Sequence, residues 1–129
     1  MKTNYKIAAA VLGGFALGVS AAASIQAQIS APYYGVGEIA VRDEDGYKNN
    51  FIPKSQELIK AAGGKLIAGG FNKTEVIIGQ PPANRLVIYS YPNKAAWDKL
   101  WAGHLKDVID DGAKYATFRI FGVEGVEMK

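Results

Sequence analysis

An α+β domain with helices on one face of an antiparallel sheet is what this sequence predicts, and three observations predict it. Apolar residues alternate or cluster in short segments rich in β-branched and aromatic side chains, and they recur at helical spacing in two longer segments. These segments come in the order strand, helix, strand, strand, helix, strand. Turn and cap residues ("DEDG", "AAGGK", "QPPAN", "YPNK") stand where each element must start or stop. Two βαβ-type halves in this order make a ferredoxin-like βαββαβ sandwich.

The fold begins after a leader. "MKTNYK" is a short basic stretch, "IAAAVLGGFALGVSAAA" an uncharged apolar one, and "ASIQAQ" offers small residues to a signal peptidase. Residues 1–27 are therefore expected to form a signal helix, cleaved after Ala27, although Ala23 also satisfies the small-x-small rule. The alternative is an uncleaved anchor, since 7–23 nearly reaches the roughly 20 residues that span a bilayer. Both readings imply export, to the periplasm or beyond. Residues 28–129 are left as one ferredoxin-like α+β-barrel domain.

The first strand, 33–42, places Tyr34, Val36, Glu38, Ala40 and Arg42 on one face and Gly35, Gly37, Ile39 and Val41 on the other. Glycines in a strand mark close approach of another element, so a helix is expected over the glycine face. Glu38 then points to the opposite side. "DEDG" supplies a helix start, with Asp43 or Asp45 as cap. Tyr47, Phe51, Leu58, Ile59 and Ala62 follow at helical spacing. Pro53 lacks an N–H and crowds the carbonyl four residues back, so a kink or restart is expected there. Gly63-Gly64 ends the helix.

"KLIAGG" and "EVIIG" read as strand segments joined through a bend or bulge at Gly69-Gly70. "QPPANR" is a turn and "RLVIYSYP" the next strand. Pro92-Asn93 opens a second helix whose apolar stripe is Trp97, Leu100, Trp101, Leu105, Val108 and Ile109. "YATFRIFGVEGV" is the last strand. With helices on one face only, the other face is expected to expose Val36, Val87, Tyr89 and Phe121, and a homodimer pairing these faces would bury that patch.

Composition narrows the partners. Removing Lys2 and Lys6 lowers the net charge from +3 to +1, thirteen basic residues against twelve acids, and the remaining cations are scattered. That argues against a nucleic-acid footprint. The chain has no cysteine, hence no disulfides and no thiolate chemistry. At about 100 residues the mature domain has a thin stability margin, which dimerisation would supplement. The expected partners are a second copy and a small-molecule ligand, with the membrane met only through an uncleaved leader.

Few residues invite chemistry. Glu38 is a carboxylate in an apolar strand, and Arg119 on the last strand is its natural partner, with Tyr89 and Arg85 on the adjoining strand. One reading is a paired charge at the dimer interface that sets register. The other is a polar pocket for an anionic or enolisable ligand. His104, the single histidine, falls on or beside the apolar stripe and is read as a satisfied helix histidine more readily than as a catalytic residue or haem ligand. No metal site is expected, since "DEDG" lacks the later ligands of a calcium loop. No phosphate-binding P-loop and no G-x-S-x-G serine is present, and no cofactor is expected.

Four stretches carry a resemblance: "GEIAVRDEDGY", "ELIKAAGGK", "NRLVIYSYPNKAAW" and "FRIFGVEGV". Over 34–126 the chain resembles the domain of unknown function 1330 family, a branch of the dimeric α/β-barrel superfamily. The resemblance implies a ferredoxin-like subunit and a dimer, and attaches no reaction. It departs from the family where many members carry a Ser-Pro-Glu-Tyr-like stretch and this chain has "AGHL". The function expected is that of an exported homodimeric domain, binding a small molecule or serving structure without turnover. The alternative is a cofactor-independent oxygenase or isomerase, as some barrel relatives are. A third reading, a haem-associated protein, would use His104.

Overall fold

The computed structural model describes residues 31–126, and the leader lies outside the described residues. Strand β1 (Tyr33–Val41) leads into helix α1 (Glu44–Gly46), a π-helical turn (Tyr47–Phe51) and helix α2 (Ile52–Ala61). Strands β2 (Lys65–Phe71) and β3 (Arg85–Tyr91) follow, then helices α3 (Lys94–Ala102) and α4 (Leu105–Gly112), and strand β4 (Ala116–Glu124). The sheet order is β2-β3-β1-β4, and every neighbouring pair is antiparallel. This is the ferredoxin-like arrangement that the element order predicts.

Local chemistry accounts for the element boundaries. The Asp43 side chain accepts from the Gly46 N–H at 3.0 Å, capping α1. Between α1 and α2 the helix widens by one residue, so that the Ile52 N–H reaches the Tyr47 carbonyl five positions back. Pro53 enters just after this turn, in the first turn of α2. The wide turn is how the chain accommodates a residue with no N–H to donate and a ring that would crowd a regular turn. It also turns both Tyr47 and Phe51 into the core. Helix α2 ends as its glycines predict: the Gly64 N–H bonds to Ile59 and the Gly63 N–H to Lys60, with Gly63 in the left-handed region.

Strand β2 carries a bulge, Leu66 pairing with Tyr89 and Ala68 with Ile88, so Ile67 has no counterpart. The bend or bulge expected at Gly69-Gly70 falls instead at Ile67, since Gly69 and Gly70 stay in register with Val87 and Leu86, and "EVIIG" is not the strand's continuation. Residues 75–79 are an irregular loop with Ile78 92% exposed. The β-branched run satisfies strand propensity, yet it has no neighbouring strand to pair with, and propensity alone does not hold a strand. The second helix is likewise not continuous. It breaks at Gly103-His104 into α3, capped by Asn93 accepting from Ala96 at 2.9 Å, and α4.

The register decides the two faces of the sheet. Gly35 pairs with Tyr89 and Gly122, Gly37 with Val87 and Ile120, and Ile39 with Arg85 and Phe118. These residues share the face that α2, α3 and α4 cover. Val87 and Tyr89 are thus in the core and not on the open face expected for them. The residue of β3 that joins Val36 and Phe121 on the open face is Ile88. A one-residue offset moves every side chain of a strand to the other face, and "LVIYSY" is apolar enough in both phases to hide it.

Candidate functional site

Glu38 lies on the open face, directly opposite Arg119 in the β1–β4 register. The Arg119 guanidinium donates to one carboxylate oxygen at 2.9 Å, and the Ala83 backbone N–H donates to the other at 2.9 Å. Arg119 also lies over the Phe121 ring, 5.0 Å from its centroid. The carboxylate is mostly buried and the guanidinium mostly exposed. With both oxygens engaged, Glu38 ties β1 to β4 and to the loop before β3.

Tyr89 and Arg85, expected beside this pair, sit on the opposite face of the sheet. The four residues do not form one constellation. The phase of β3 separates them. Arg85, Val87, Tyr89 and Tyr91 are its four buried positions, strictly alternating, so Arg85 belongs with the core residues.

His104 is also displaced from its expected place. It precedes the first turn of α4, its side chain is 84% exposed, and Nδ1 is 3.6 Å from Asp107. The break at Gly103 takes it off the packed face, and it is not among the described residues that form the core or line the cavity between sheet and helices. Among the described residues no cluster of three or more His, Cys, Asp or Glu could hold a metal ion.

The covered face contains a cavity of about 60 Å³ between the sheet and the helices. Where about 10–15 Å³ holds one water, this is room for a small organic group. Its floor is the glycine stretch of β1. A side chain at Gly35 would strike the Trp97 ring, and one at Gly122, its partner on β4, would strike Tyr33 and Trp97. The two glycines thus form a flat seat for the indole. Trp97 in turn stands edge-on to Trp101, with ring centroids 5.5 Å apart. At the far end Tyr47 and Phe51 stack at 4.9 Å.

Polar groups in this wall are few. The Gln56 side chain donates to the Tyr89 hydroxyl at 2.6 Å, and the Ser55 hydroxyl donates to the Ile52 carbonyl at 3.1 Å. Burial pushes the Tyr47 hydroxyl up, and the neighbouring Arg85 guanidinium pulls it the other way. Arg85 itself is only 9% exposed and lies over the rings of Phe71 and Tyr47, 4.8 and 5.6 Å from their centroids. No Asp, Glu, His or Lys is among the described residues that line the cavity. The wall can hold and orient a molecule. Its seat on the glycines was legible in the sequence, whereas Gln56, Tyr47 and the two tryptophans as cavity walls were not.

A family model described as "Domain of unknown function (DUF1330)" matches residues 32–125. Among solved structures, the chain is similar to a protein of unknown function from Rhodopseudomonas palustris. The two are 13% identical, with 77% of this chain and 85% of that one covered and a TM-score of 0.60. A methylated form of that protein gives 15%, 76% and 83%, with a TM-score of 0.58. An EthD-like protein from Ralstonia eutropha is 16% identical over 71% of this chain and 90% of that one, with a TM-score of 0.45. No curated protein matches the chain. At these identities the likeness concerns the fold alone.

Proposed function

The chain belongs to the domain of unknown function 1330 family, and from that premise we propose that it is a small-molecule-binding domain whose site is the cavity between the sheet and its helices. The observation that carries this reading is Arg85, a buried cation in the wall of an otherwise apolar cavity. Core packing alone gives no reason to bury a guanidinium, which costs several kcal/mol unless something pairs with it. Ligand pockets have this make-up: apolar walls with a few placed polar groups.

The domain acts as a homodimer through the open face of the sheet. Phe121 and Val123 are 42% and 49% exposed there, beside Val36 and Ile88. An apolar sheet face of this kind favours a partner surface of the same kind. Residues 1–27 direct export, and the domain works in the periplasm or outside the cell. Cell fractionation tests this, and full-length chain found soluble in the cytoplasm would contradict it.

Fragment screening by two-dimensional NMR tests the binding reading. Small apolar and amphiphilic fragments are expected to shift the amides of Gly35, Gly37 and Val87 and the two indole N–H signals. A diverse library in which no fragment moves these signals would overturn it.

A further inference from the structure

We infer that the ligand of this cavity is an apolar organic carboxylate, with its anionic head on Arg85 and its body running past Trp97 and Trp101 to a groove beside β4. The inference rests on the reading of the cavity as the binding site. Two buried side-chain polar atoms among the described residues have no hydrogen-bond partner, Arg85 Nε and Trp101 Nε1. Both are donors, and both residues line this cavity. Buried donors are satisfied by acceptors in nearly all proteins, so Arg85 Nε calls for a molecule that brings oxygen lone pairs, while Trp101 Nε1 lies outside the site proposed for that group.

Charge narrows the class. A guanidinium stays ionised even when buried. Among the described residues no carboxylate lies within 4.0 Å of Arg85, and the Tyr47 hydroxyl and the ring faces of Phe71 and Tyr47, all neutral, compensate its charge only in part. A single cation matches a monoanion, and a carboxylate fits its planar fork with two bonds. A dianion would leave one charge unmatched among apolar walls. The rest of the ligand is apolar because the rest of the wall is.

The direction of the molecule follows from the surroundings. An outer groove of about 480 Å³ shares Trp97, Trp101, Ile109, Phe118 and Ile120 with the cavity, so the two adjoin through these side chains. The groove's own charges, Lys106 and Asp110, are 3.2 Å apart and pair with each other at an exposed rim. The cation without a carboxylate is inside, so the head goes in and the body points out. Arg85 pairs with Ile39 and the indole of Trp97 sits over Gly35, four residues away along β1. At about 3.3 Å per residue that is a path of roughly 13 Å, the length of a short aryl- or alkyl-chain acid.

The test compares 4-phenylbutanoate with 4-phenylbutanamide, which differ only at the head group. Calorimetry gives the affinities and tryptophan emission gives the place, since both tryptophans of the chain stand in the cavity wall. The acid is expected to bind at least about tenfold more tightly than the amide, a factor within reach of one charged pair. Arg85→Met should bring the two within about twofold, whereas Arg119→Met should leave the ratio unchanged. An amide bound as tightly as the acid, or a preference that survives Arg85→Met, would overturn the inference. If Arg85→Met does not fold, the acid-to-amide ratio of the unaltered protein decides the matter. Binding of neither compound, while other fragments still move the Gly35 and Gly37 amides, ends the carboxylate inference and leaves the cavity reading standing. No fragment binding there at all ends both.

Discussion

Arg119 donates to Glu38 across the β1–β4 ladder at 2.9 Å, and the second carboxylate oxygen takes the Ala83 N–H at 2.9 Å. The carboxylate therefore joins two strands and a loop through one side chain. Because Arg119 is largely exposed, the ion pair alone contributes little, and the bond to the buried-side backbone matters more. Glu38→Gln is expected to cost about 1 kcal/mol. The double variant Glu38→Gln/Arg119→Met should cost little more than Glu38→Gln alone, because the exposed Arg119 guanidinium stays hydrated with or without its partner. Urea denaturation in a double-mutant cycle measures both. Unchanged stability in Glu38→Gln would contradict this account.

The open face makes a second expectation. The purified protein should scatter light as a dimer, and Phe121→Asp, which sets a charge among Val36, Ile88 and Val123, should shift it toward the monomer. A well-folded monomer at micromolar concentration in the unaltered protein would end the dimer proposal.

The buried tyrosines set the alkaline limit of stability. Burial raises the Tyr47 and Tyr91 hydroxyls above the ordinary tyrosine value of 10.0. Above that pH the unfolded chain releases these protons while the folded chain keeps them, so ionisation favours unfolding. Their stabilising effect is complete below pH 10 and declines as pH rises further. Thermal unfolding should show a steep fall in Tm above that pH, and Tyr91→Phe should flatten it. A Tyr91→Phe profile parallel to that of the unaltered protein would refute the assignment.

Gly35 is a test of the cavity floor. A methyl group there meets the Trp97 ring, so Gly35→Ala forces the indole off its seat, at about 1–3 kcal/mol for an overpacked core. Calorimetric unfolding gives the cost, and tryptophan emission should move with it. A variant as stable as the original, with unchanged emission, would show that the indole does not rest on this strand.

The sequence by itself determined the element order, a cap at Asp43 or Asp45, the stop at Gly63-Gly64, the irregularity around Pro53 and the pairing of Glu38 with Arg119. The first four follow from local backbone chemistry and hydrophobic spacing, and the Glu38–Arg119 pairing follows from two-residue alternation once the element order sets β4 beside β1. What only the tertiary structure decided was the phase of β3 and the fate of "EVIIG". An apolar strand such as "RLVIYSY" fits either face, and the ladder with β1 selects the phase that puts Arg85 and Tyr89 under the helices. In the same way "EVIIG" has strand composition and no partner strand, so it stays a loop. His104 left the packed face because a helix break at Gly103 resets the angular phase of every residue after it. Each of these depends on a contact between residues far apart in the chain or on a small local shift carried forward, and composition at the site encodes neither.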